Sequence, residues 1–192
     1  SDNAKDYFNQ VLSPYFQKEG IIHTSSCVDT PQQNGIAERK NGHLLNVTRA
    51  LLFHGNVPKS FWGEAVLTAT HIINRLPSRV LENKSPMEVL NTYYPHFRTS
   101  NGLVPRIFGC TVFVHLHRPN RGKLDPRAIK CIFVGYSSTQ KGYKCYHPPS
   151  RKFYISVDVT FFEKKSYFPK CHLQGETYNL EDGTRFESFE FF

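Results

Sequence analysis

The chain has no apolar run approaching the ~20 residues a membrane-spanning helix requires, and no charged-then-apolar leader opens it. Both absences point to an intracellular protein, nuclear or cytoplasmic. Cysteine is scarce and badly spaced for metal binding. Cys27, Cys110, Cys131, Cys145 and Cys171 are an odd set without a close pair. Zinc ribbons and knuckles need closely spaced Cys/His pairs, so these thiols read as buried or free groups in a reducing compartment. No internal repeat is present. Acidic residues are nearly missing from one stretch. Between Arg106 and Lys152 ten Lys and Arg face a single acid, Asp125, whereas residues 153–192 carry four basic and seven acidic groups. A basic block of this kind gains affinity for polyanions by counterion release. The competing reading is a solvated surface that only aids solubility.

What remains is ample for a folded protein. The 192 residues are 39% hydrophobic and 14% aromatic, enough to bury a core. Tyr7, Phe8, Val11, Leu12, Tyr15 and Phe16 recur at helical spacing over residues 4–19, with Gly20 as the stop. Ile21 to Ser25 is a short β-type run, and Asp29 to Gly35 has loop chemistry. A second helix is predicted over 36–53, with Ile36, Leu44, Val47, Leu51 and Leu52 as its stripe. A third spans 60–74 and would bury Phe61, Trp62, Ala65, Val66, Ala69, Ile72 and Ile73. Ser85-Pro86-Met87-Glu88 looks like a capped helix start. From Arg106 the period becomes two, in Phe108 to Leu116 and again in Phe153 to Phe161, with Ile129–Tyr136 and Tyr143–His147 between. Four short strands with regular turn signals suggest a small antiparallel barrel or sandwich. The boundary falls near 95–105, and the acid-rich 169–192 reads as a disordered linker.

Two acids bear on chemistry. Asp2 precedes the first helix and Glu38 opens the second, with 35 positions between them. Two-metal phosphoryl transfer needs carboxylates that share a pair of divalent ions, and Mg²⁺ suits an all-oxygen site. Any chain with sixteen acids holds several such pairs, so the spacing alone is weak.

The words around the acids are specific. SDNAKDYF, GIIHTSSCVDTPQQNGIAERKNGHLLNVTRALLF, FWGEAVLTATHIINRLPSRVL, RIFGCTVFVH, KLDPRAIKCIFVGYSSTQKGYKCY and SVDVTFF occur in this order over residues 1–168. Block by block they resemble the integrase of copia-type LTR retrotransposons, encoded within a Gag-Pol polyprotein. That resemblance implies an α+β chain: a truncated RNase H-like integrase core over 1–100, mostly helical with short strands, then a small antiparallel SH3-like β-barrel over 101–168. It implies metal-dependent 3′-end processing and strand transfer, Mg²⁺ (or Mn²⁺) as cofactor of the full-length family but not tightly bound by these residues alone, element ends and target DNA as partners, and self-association as in integrases. Carried over by position, Asp2 and Glu38 are the last two ligands of a D,D-35-E triad. Thr30, Gln33, Asn34 and Gly35 shape the active-site loop, and Arg39 and Lys40 lie on the DNA-facing helix.

The family's first acid and its His/Cys zinc module would stand upstream of Asp2, so these residues alone are expected to be catalytically inactive. Gly42 and Asn46 stand where relatives usually carry Arg and Glu. Further DNA contacts are expected from Arg118, Arg121, Lys123, Lys141, Lys144, Arg151 and Lys152, where Tyr143 and Tyr146 interleave with cations in the pattern of base stacking. The alternative function is a non-catalytic nucleic-acid- or chromatin-binding remnant that uses the basic 106–152 region.

Overall fold

In the computed structural model, residues 11–27, 30–95, 102–116 and 126–168 are described. The expectations for Asp2, Arg118, Arg121, Lys123 and the 169–192 tail lie outside them. Helix α1 covers Leu12–Lys18, with Pro14 in its first turn, where a missing N–H costs nothing. Gly20, at φ +65°, ends it as read from the sequence: Ile21 N donates to Phe16 O at 2.8 Å and Gly20 N to Gln17 O at 3.2 Å. The β-type run Ile21 to Ser25 is not a strand. Among the described residues no strand lies beside it, and a strand without a neighbour has no ladder to hold it.

A 3₁₀ turn, Pro31–Asn34, leads into helix α2, Gly35–His54. Its packed face is formed by Leu44, Val47, Thr48, Leu51 and Leu52. Ile36, expected in the same stripe, is 77% exposed, because the first turns of α2 extend beyond any packing partner among the described residues. Helix α3, Trp62–Ile73, buries Ala65, Thr68, Ala69 and Ile73. Trp62 was expected in this core and is instead 65% exposed. The small side chains of α3 select the face that approaches the sheet most closely, which turns the indole outward. Helix α4, Pro86–Tyr93, starts with the capping box its sequence announces: Ser85 Oγ accepts from Glu88 N at 3.2 Å, and Ser85 N donates to Glu88 Oε2 at 2.7 Å. Those bonds favour the charged form and hold the Glu88 carboxyl below its ordinary range.

Five strands follow: β1 Cys110–His115, β2 Ala128–Tyr136, β3 Tyr143–His147, β4 Lys152–Ser156 and β5 Val159–Ser166. All pairings are antiparallel, in the order β4-β3-β2-β1-β5. The Phe153–Phe161 run was expected as one strand. It breaks after Ser156, where Asp158 N donates to Ser156 Oγ at 3.0 Å and Asp158 O accepts from His115 N at 3.2 Å. The break closes the sheet. β4 and β5 occupy opposite edges, which in a flat five-stranded sheet would lie roughly 19 Å apart. Val157 and Asp158 alone connect them, a link that spans at most ~11 Å, so the sheet must curl into a barrel.

β2 is buried on both faces. Cys131 and Phe133 point into the barrel with Cys110, Val112, Val114, Tyr143 and Cys145. Ile132 and Val134 point outward against Val57, Ala65 and Phe108, beneath α2 and α3. Burial pushes the Cys110 and Cys131 thiols up to about 12, so they stay protonated and inert. Two glycines let helices and barrel meet. Gly109, at φ +81°, has its Cβ position 2.4 Å from Val57 Cγ2 and 3.2 Å from Gly55 Cα, so only glycine fits the crossing. Gly135, at φ +133°, has its own 2.5 Å from Thr68 Oγ1. That close approach lets Thr68 Oγ1 donate to Val134 O at 3.4 Å.

Candidate functional site

The loop before α2 is ordered by its own polar side chains. Gln33 Oε1 accepts from Cys27 N at 2.9 Å and ties the 3₁₀ turn back to the preceding segment. Asn34 Nδ2 donates to Glu38 Oε1 at 3.2 Å, which holds the carboxylate over the helix start. A carboxylate there is favoured by the helix dipole. Glu38, Arg39 and Lys40 are all exposed. No cluster of three His, Cys, Asp or Glu side chains able to hold a metal occurs among the described residues. Glu38 is thus brought together with Asn34, whereas its expected partner Asp2 lies outside the described residues. An exposed carboxylate on a rigid first turn is a hard oxygen donor, the type that Mg²⁺ and Mn²⁺ accept.

On the barrel the expected cations divide by what they touch. Lys141, Arg151 and Lys152 are exposed. Lys144 is engaged: its Nζ is 2.7 Å from Glu64 Oε1 on α3 and 4.7 Å from the Phe153 ring centroid. Arg106 pairs with Glu163 at 3.6 Å and lies over the Phe161 ring. Tyr143 is buried among Phe133, Tyr136 and Phe161, and its hydroxyl donates to Val104 O, so it does not offer a ring to a base. Tyr146 is half-buried between Phe61 and Phe153.

Two open cavities flank the seam between α3 and the barrel. One, of about 450 Å³, is lined by Leu67, His71, Asn74, Tyr136, Lys144 and Ile155. His71 lies flat on Tyr136, with centroids 3.7 Å apart and planes 7° apart. Burial, helped by Arg75, pushes its imidazole down to about 4, so it is neutral at physiological pH. The second, of about 490 Å³, is lined by Phe61, Trp62, Glu64, Tyr146, Arg151 and Phe153. The sequence reading missed it because it assigned Trp62 to the core. Pairing Trp62 with the Arg151 turn requires knowing which face of α3 meets the barrel.

An antiparallel barrel with a basic rim, seated on helices through glycine contacts, is the architecture of an SH3-like domain joined to a larger helical segment. Residues 110–175 match the retroviral polymerase SH3-like domain. Over 168 residues, 86% of this chain, the sequence is 38% identical to a retrovirus-related Pol polyprotein from transposon TNT 1-94 of Nicotiana tabacum. Over 163 residues it is 37% identical to the one from transposon RE1 of Arabidopsis thaliana, and over 164 residues 37% identical to that from RE2 of the same plant. The chain spans 11–12% of the length of these relatives. It is a homologue of the Pol polyproteins of plant copia-type retrotransposons, and it carries their SH3-like domain. No described helix is long and apolar enough to cross a membrane.

Proposed function

We propose that this chain is the integrase-related stretch of such a polyprotein, comprising the back of an RNase H-like catalytic core and the SH3-like domain. Its substrate is DNA, both element ends and target. Asp2 and Glu38 would hold the divalent ions, Mg²⁺ or Mn²⁺, which when bound supply an activated nucleophile and stabilise the departing oxygen. The chain's own residues do the positioning. Gln33 fixes the loop, Asn34 orients the Glu38 carboxylate, and Arg39 and Lys40 meet phosphates beside it. Lys141, Arg151 and Lys152 extend the cationic surface on the barrel, where Arg118, Arg121 and Lys123 would add to it.

The observation that carries this reading is Glu38, an exposed carboxylate held by Asn34 on the opening turn of α2, in a chain homologous to Pol polyproteins. The test is an Mg²⁺-dependent assay joining a 3′-hydroxyl to target DNA, run on a longer Pol segment that includes these residues. Glu38→Gln should abolish joining while salt-dependent duplex binding persists. Undiminished joining by Glu38→Gln would overturn the metal assignment. A longer segment that binds duplex DNA but never joins it would favour the binding-only alternative.

A further inference from the structure

The groove beside Trp62 combines three features that the metal site does not use. The first is exposed aromatic surface gathered in one groove: Trp62 is 65% exposed and Phe153 48%, and both line it. Phe61, Tyr146 and Phe153 also line the groove as a run of touching rings, with centroids 5.2 Å apart at Phe61–Tyr146 and 5.0 Å at Tyr146–Phe153. The second is its charge. Glu64 is the acid lining the groove, and Lys144 neutralises it at 2.7 Å. Arg151 therefore leaves the groove with a positive surplus. The third is backbone conformation. Arg151 closes the β3–β4 turn at φ +53°, a position where hairpins favour Gly or Asn, while Arg151 N donates to Pro148 O at 3.2 Å. A left-handed conformation is costly for arginine.

A ligand that fits must offer a flat apolar face to the rings and a negative group to the guanidinium. Duplex DNA offers phosphates and base edges but no free base faces, because its bases are stacked inside. We propose that this groove receives an unpaired nucleobase, with Trp62 and Phe153 as stacking surfaces and Arg151 on the adjoining phosphate, so that its partner is single-stranded nucleic acid. A groove of about 490 Å³ accommodates one base with its sugar. The proposal rests on the reading of the chain as a DNA-handling segment and adds a strand preference to it.

Trp62 is the only tryptophan in the chain, so its fluorescence reports on the groove directly. The probe is an oligothymidylate of about a dozen nucleotides, titrated in parallel with a duplex of equal length. The oligothymidylate should quench Trp62, and the duplex should bind with little quenching. Arg151→Gly removes the charge and suits the turn, so it should leave the urea midpoint unchanged or raised yet weaken oligothymidylate binding about ten-fold. Phe153→Leu should weaken it about as much and leave duplex binding intact. Single strands that bind without quenching, or equally well to Arg151→Gly and Phe153→Leu, would overturn the proposal. If duplex binding persists while single strands fail, only the stacking site falls. If neither binds, the DNA-handling reading falls with it.

Discussion

Lys144 Nζ sits 2.7 Å from Glu64 Oε1, a bond between the barrel and α3 across 80 positions of sequence. The pair is mostly shielded, with side-chain exposures of 25% and 21%. It makes Lys144 first a clamp between helix and strand and only second a cation available to DNA. Glu64→Gln should therefore have two opposite effects. Stability should fall by about 1 kcal/mol, read as a lower urea midpoint. Duplex affinity should rise, and the slope of log K against log salt should steepen by about one, because a masked cation is released to the phosphates. An unchanged salt slope would mean that Glu64 does not mask Lys144 from the phosphates, and a rise in stability that desolvating the pair costs more than the bond returns.

Gly135 governs how closely α3 approaches the barrel. A methyl group there would lie 2.5 Å from Thr68 Oγ1, in a backbone region that L side chains rarely adopt. Gly135→Ala should cost about 3 kcal/mol, from overpacking and conformational strain together. Adding Thr68→Ala should recover the steric part and leave the strain. Equilibrium urea unfolding of the single and double variants separates the two contributions. Full recovery would show that φ at this position carries no penalty.

His71 is neutral in the fold and titrates at about 4, against 6.5 when unfolded. Its folded value is the lower one, so the unfolded chain takes up the proton first. Its contribution is complete above pH 6.5 and declines as pH falls toward 4. The ring borders an open cavity, so solvent reduces the loss to about 1–2 kcal/mol. His71→Phe keeps a ring on Tyr136 and removes the titration. Its urea midpoint should vary less between pH 7 and pH 4.5 than that of the parent. Equal pH dependence in both would place the titrating group elsewhere.

Local signals were legible wherever the chemistry is local. The Ser85–Glu88 box, the Gly20 stop and the alternation of Cys110, Val112 and Val114 all lie where the sequence reading put them. Rotations and breaks set by distant partners were not legible. The stripe read for α3 holds at Ala65, Ala69 and Ile73, but it also took in Trp62, which the close approach at Gly135 and the small faces of Ala65 and Ala69 leave at its exposed edge. The Phe153–Phe161 run alternates throughout, yet it changes neighbours after Ser156 because the barrel must close. Ile21 to Ser25 has strand composition and no strand beside it among the described residues. For the site, sequence located Glu38 and its loop. The hydrogen bond from Asn34 and the capture of Lys144 by Glu64 emerge only in three dimensions.

The central claim, that Asp2 and Glu38 clasp the same divalent ions, is tested most directly by titrating the chain with paramagnetic Mn²⁺ and following backbone amide linewidths by NMR. Line broadening is expected around both residues at once, reversed by excess Mg²⁺ and lost at both positions in either Asp2→Asn or Glu38→Gln. Broadening at one acid that survives removal of the other, or confined to the acid-rich residues after 169, would contradict it.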